Sequence, residues 1–244
     1  MSKRLTHFTR KVPNQIKWMF VFVILPLYLY CGSIIFNAIL KFIIITFSIQ
    51  MDINSANAYL NLMTDFVLLI IVWFIMKDFL KEQFKDFSKN MKDNLIYGCL
   101  VGVGLIYAGS FIGGILTMLF GGTDSSQNQA MIEVITKTSP VVMVITTVLL
   151  APILEEFVFR GILFGWAYEI NPKFAHIISA FVFAMLHIIL ALLSGNIAEW
   201  VQIFSYFLMS IVLSYLYEKT NNIAVPILTH MINNLITMLI IITM

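Results

Sequence analysis

The chain has 244 residues, 60% hydrophobic and 11% charged, where a soluble domain carries about 25% charged residues. That excludes a water-soluble globular enzyme and indicates an all-α, polytopic membrane protein. The net charge of +2 gives no reason to expect a nucleic-acid partner, and Cys31 and Cys99 both lie in apolar stretches, so no disulfide framework is expected.

Seven apolar stretches reach the length that crosses a bilayer, about 20 residues. They run over 18–47, 58–76, 95–120, 141–164, 174–193, 200–217 and 223–244. A basic stretch, residues 1–17, precedes the first. This start resembles a secretory signal, but the apolar run is too long and no small-residue cleavage site follows, so it reads as an uncleaved span. Lys and Arg in the loops set the orientation. With the N-terminus inside, twelve fall on inside segments, among them Lys77, Lys81, Lys85, Lys89 and Lys92, while the outside loops carry only Lys137. The expected topology has a cytoplasmic N-terminus and an external C-terminus.

In chain order, the first span holds Lys41 and the second Asp65, at similar expected depth, so a structural ion pair between them is expected. Residues 77–93 place Phe79, Leu80, Phe84 and Phe87 among lysines and acids. They read either as a helix lying in the membrane interface or as a solvated loop helix. The third span carries Gly98-x-x-x-Gly102 and Gly109-x-x-x-Gly113, a small-residue face that lets helices approach closely. The longest outside loop, from Gly121 to Pro140, has room for a short amphipathic helix and shows no sign of chemistry.

The fourth span contains "APILEEFVFRG", residues 151–161. Its 15 Leu, Ile, Phe and Val residues favour insertion by roughly 7 kcal/mol, while Glu155, Glu156 and Arg160 oppose it by roughly 9. Such a span needs neighbours facing its charges, and an intramembrane ionisable residue is a functional candidate by default. Glu156 and Arg160 are four apart and can pair on one face. Glu155 lies about 100° round the helix from Glu156 and stays free to act as a general base. A purely structural charge cluster is the competing reading.

The fifth span adds Phe183 and His187, and the seventh adds His230, Asn233 and Asn234. Either histidine alone would more often make a helix–helix hydrogen bond. Together with the acids they form a set that could activate water and stabilise an oxyanion. Counted from the expected inner ends, His187 sits about 20 Å deep and Glu155 about half that, a mismatch of depth. His176 and His7 read as ordinary interfacial residues. No His-Glu-x-x-His helix, Gly-x-Ser-Gly motif or Gly-x-Gly-Asp motif is present.

"EEFVFR" with Glu155, Glu156 and Arg160, "FAMLH" with Phe183 and His187, and "HMINN" with His230 and Asn234 resemble the three signature motifs of the CAAX protease and bacteriocin-processing (CPBP, or Abi) intramembrane proteases. The likeness covers about 140–240. It implies a four-helix catalytic core over 140–244, joined to three accessory helices over 18–120, with a cavity opening to the cytosol. It implies Glu155 and His187 as the water-activating pair, His230 and Asn234 as oxyanion donors, and Glu156, Arg160 and Phe183 as supporting residues. The family has been described both with and without a metal. Glu155, His187 and His230 match a three-ligand zinc set in residue type, so the cofactor is either zinc or none. The small size and Lys-, Asn- and Ile-rich composition suggest a bacterial member in the plasma membrane, acting on a membrane-associated signalling or bacteriocin-type peptide. A non-catalytic scaffold or immunity protein is the alternative. A proton-coupled transporter is a weaker one, since no internal repeat is visible. The oligomeric state is open.

Overall fold

The computed structural model describes residues 12–28, 32–122 and 125–244. Cys31 and His7 lie outside them. The described chain is helical, and six of its helices are long and apolar enough to cross a membrane. We label α1 Asn14–Met19, which runs on through a wide π turn, Phe20–Ile24, then α2 Gly32–Thr46, α3 Ile53–Lys89, α4 Met91–Leu119, α5 Gln127–Thr138, α6 Pro140–Tyr168, α7 Pro172–Leu193, α8 Ile197–Thr220 and α9 Ala224–Thr243. The protein is a multi-pass, all-α membrane protein. The first of the seven expected spans, 18–47, is described as two shorter pieces, α1 with its π turn and α2.

Local chemistry fixes the helix ends. Asp52 caps α3 by accepting from the backbone N–H groups of Asn54 and Ser55, two of the donors a helix start leaves unpaired. Asn171 does the same for α7, where Pro172 takes the first position and loses nothing by lacking an N–H. Ser126 caps α5, the short helix expected in the long loop. Asn221 closes α8 in the left-handed conformation, φ 53°, which Asn tolerates better than most residues.

Three results refine the sequence reading. The lysine-rich segment 77–89 continues the helix of the second span and is no separate element. Leu80 and Gln83 on it are buried. Asn222 donates to the Gln83 carbonyl at 2.8 Å, and Ile223 N–H donates to the Gln83 side chain at 2.8 Å. This docking onto the α8–α9 turn is invisible in the pattern of charges. The small-residue face of α4 packs as expected: a methyl group at Gly102 would collide with Thr229, and one at Gly113 with the Ser205 backbone. Thr229 Oγ1 donates to the Gly98 carbonyl at 2.8 Å across that contact. Lys41 and Asp65, by contrast, form no ion pair. Lys41 is exposed, whereas Asp65 faces the interior cavity. Equal depth on neighbouring helices does not fix rotation about the helix axis, and here the two residues turn apart.

Phe22, Phe42, Phe66, Phe74, Leu100 and Phe111 are exposed on the outside of the bundle, as lipid-facing side chains are. The main core gathers the inward faces of the N-terminal segment, α3, α6 and α7, with Phe159, Phe164, Leu154 and Leu80 fully enclosed.

Candidate active site

The site forms about the middle of α6. This helix is wide in two π stretches, Ile145–Leu150 and Phe157–Phe164, on either side of Ala151–Glu156. Pro152 supplies a local reason for the first. It has no N–H, and its ring would crowd the carbonyl four residues earlier. A widened turn relieves that crowding, and π bulges of this kind recur at functional sites. α6 also runs to Tyr168, past the expected end at 164. Glu155 then lies about 20 Å from that end and His187 about 22 Å from the start of α7, at 1.5 Å per residue. The mismatch of depth disappears.

Glu156 and Arg160 are fully buried, and Arg160 Nε lies 3.1 Å from Glu156 Oε2. The approach is too bent for a hydrogen bond and leaves a charge contact. Arg160 donates from Nη2 to Ser210 Oγ at 2.8 Å and to the Ser210 carbonyl at 3.2 Å. Its guanidinium stands 5.0 Å from the centre of the Phe183 ring. Glu156 Oε1 is 3.0 Å from His230 Nδ1. The expected pairing of one acid with Arg160 therefore holds, and the same acid also anchors His230.

Glu155 turns the other way, into a cavity of about 340 Å³. Its Oε1 accepts from Tyr28 Oη at 3.0 Å. Its Oε2 is buried without a hydrogen-bond partner among the described residues, and His230 Nε2 is 3.9 Å from it. His187 lines the same cavity. Its Nδ1 lies 2.8 Å from the Phe183 carbonyl, which can only accept, so Nδ1 carries the proton and Nε2 is presented to the cavity. Stacking on Tyr206, ring centres 4.4 Å apart, and a tilted contact with Phe183 at 4.5 Å fix the His187 ring. Asn234 also lines the cavity. It spends one amide N–H on the Thr147 carbonyl at 2.9 Å and accepts from Asn233 at 3.2 Å, so one N–H remains.

All seven residues singled out by sequence thus meet around one cavity or directly behind it. His176 does not: it bridges Ser214 and Glu218 near the start of α7. Four participants were missed. Tyr28, Asp65, Tyr206 and Ser210 carry ordinary side chains on otherwise apolar spans, and no spacing marks them. Only Asp65 gave a signal, as a charge in a span, one expected to pair with Lys41.

A metal fits poorly. Among the described residues no three His, Cys, Asp or Glu side chains gather as a metal-holding set. The zinc set Glu155, His187 and His230 does not assemble here.

Comparison with known proteins adds the decisive observation. Residues 137–236 match the family described as type II CAAX prenyl endopeptidase Rce1-like. Over that segment the chain is similar to the Rce1-like CAAX protease family. The matched segment holds all seven motif residues. The chain is 30% identical over 169 residues to YdiL of Bacillus subtilis (strain 168), whose name proposes a membrane peptidase, covering 68% of this chain and 64% of that protein. It is also 30% identical over 154 residues to the membrane-embedded CAAX protease MroQ of Staphylococcus aureus (strain USA300), covering 60% and 58%. The chain thus spans somewhat less than two thirds of the length of these bacterial relatives. No solved structure matches. The Rce1-like segment accounts for α6 to α9, while Tyr28 and Asp65 reach the site from helices outside it.

Proposed function

We propose that this chain is an intramembrane endopeptidase that hydrolyses a peptide bond of a membrane-associated peptide or protein, with a bacterial signalling or bacteriocin-type peptide as the substrate class. The observation that carries the reading is Glu155 Oε2, a buried carboxylate oxygen with no hydrogen-bond partner among the described residues, at the wall of the cavity that His187, His230 and Asn234 also line. Leaving a buried acceptor unpaired costs about 1–3 kcal/mol. A scaffold or immunity protein gains nothing from that cost, whereas a general base needs a free oxygen to take a proton.

In the reaction, Glu155 removes a proton from a water molecule as the water oxygen attacks the scissile carbonyl carbon. His187 Nε2 orients that water. The carbonyl oxygen becomes an oxyanion and receives the remaining N–H of Asn234 and, once it carries a proton, His230 Nε2. Donors aimed at a developing charge in a water-poor site are the largest single contribution in many enzymes. When the tetrahedral intermediate collapses, the C–N bond breaks and the proton held by Glu155 passes to the leaving amine. Glu156 and Arg160 hold His230 in register, and Phe183 walls the site. The assignment uses only this chain's own residues.

Purified full-length protein and its Glu155→Gln variant, incubated with leader-containing peptides and read by mass spectrometry, test the proposal. Site-specific products from the wild type and none from the variant are expected. Equal cleavage by both would remove Glu155 from the mechanism.

A further inference from the structure

Hydrogen bonds between helix ends sort the bundle into two ends. At one, Lys17 Nζ lies 2.7 Å from Glu169, Tyr168 donates to Glu218 at 3.0 Å, and Asn222 meets Gln83. At the other, the hydroxyls of Ser139 and Ser55 are 3.1 Å apart, Thr117 donates to the Val201 carbonyl at 3.1 Å, and Gln127 N–H donates to Glu199 at 2.8 Å. The first end carries Lys17, Lys173, Lys219 and the lysines from Lys77 to Lys92. The second has Lys137, with Lys41 a turn and a half inside the end of α2. The excess of lysine assigns the first end to the cytoplasm.

The cavity occupies the opposite half. Its wall on α6 runs from Glu155 back through Thr147 to Met143, and no α6 residue beyond Glu155 lines it. On α9 it runs from His230 outward to Ile241, and on α3 it includes Asn61 and Asp65. The lysine-rich half is filled instead by enclosed side chains such as Phe159, Phe164, Leu80 and Ile24. A peptide coming from that end would have to displace a close-packed core, and interiors of this kind have no room to spare.

We infer that the site is fed from the extracytoplasmic side, the reverse of the cytosolic opening that the family resemblance implied. Its substrate is then a polypeptide segment already carried across the membrane, or standing in the outer leaflet. Translocation must precede cleavage in the sequence of reactions that supplies it. The inference takes its chemical meaning from the peptidase reading, but its geometry is independent of it.

Labelling in intact cells tests it with the full chain, in a background where Cys31 and Cys99 are replaced by serine. The probe is a membrane-impermeant sulfonated maleimide. Thr147→Cys and Asn61→Cys report on the cavity, while Lys137→Cys and Lys89→Cys mark the two ends. We expect Lys137→Cys and both cavity positions to react in intact cells, and Lys89→Cys to react only after permeabilisation. Reaction of the cavity positions only after permeabilisation overturns the inference, as does the same result at Lys137→Cys. Silence of both cavity positions under both conditions also overturns it, because a cavity open to that side holds water. Should Thr147→Cys fail to accumulate, Asn61→Cys on the exposed rim gives the same reading. No activity is measured, so a failure of the peptidase reading would appear in the cleavage assay and leave this result standing.

Discussion

At the scale of single residues, adjacent carboxylates serve different ends because successive helix positions point about 100° apart. Glu156 is enclosed with Arg160 and His230, and Glu155 faces the cavity. Removing one partner from a buried charge pair leaves the other uncompensated, at a cost of about 3–5 kcal/mol. Arg160→Ala and Glu156→Gln are therefore expected to lower thermal stability in detergent along with any activity. Melting temperatures equal to the wild type would refute the supporting role. For Asn234 the expectation is kinetic. Loss of one oxyanion donor lowers turnover by about 10²–10³-fold, so Asn234→Ala should fall by that order with KM little changed. Asn233→Ala loses only its 3.2 Å support of Asn234 and should be milder. Steady-state rates on a cleaved peptide decide the order, and a larger loss at Asn233 would move the donor role there.

At the scale of elements, the close approach of α4 to α8 and α9 depends on glycine. Any side chain at Gly102 meets Thr229 and Leu216, and overpacking costs about 1–3 kcal/mol. Gly102→Val is expected to reduce the yield of folded protein by size-exclusion chromatography, whereas Gly104→Ala, with open space around its Cβ position, should not. The start of α3 gives a pH-dependent expectation. Hydrogen bonds from Ser55 and Asn54 hold the Asp52 carboxyl below its ordinary range. A carboxyl with a depressed folded-state pKa stabilises the fold above its unfolded value, and that contribution disappears as pH falls through the folded value. The wild type should thus lose part of its advantage over Asp52→Ala on acidification below about pH 4. A difference in melting temperature that does not change with pH would show that the cap contributes nothing through its charge.

At the scale of the whole molecule, the accessory helices belong to the site. Tyr28 donates to Glu155 at 3.0 Å, and Asp65 lines the cavity, although neither lies in the Rce1-like segment. The N-terminal segment is fastened at the far end, where Glu169 accepts from the Val12 N–H at 2.6 Å and from Lys17 at 2.7 Å. Glu169→Ala is expected to make cleavage around residues 12–28 faster in limited proteolysis. An unchanged cleavage pattern would show that α1 is held by its apolar contacts alone.

The sequence by itself determined the membrane class, the helix-forming stretches and the seven motif residues. Each follows from a local quantity: hydropathy over about 20 residues, the cost of charge in a span, and a spacing of four on a helix. Tertiary structure decided the rest. Rotation about the helix axis separated Lys41 from Asp65 and brought Asp65 to the cavity. The π stretches and the longer α6 brought Glu155 and His187 to one depth. The segment that charge patterning marks as either an interfacial or a solvated loop helix continues α3 and docks through Gln83 at the α8–α9 turn. The half of the bundle that is filled and the half that is open depend on side chains from several helices at once, and no single stretch of sequence carries that sum.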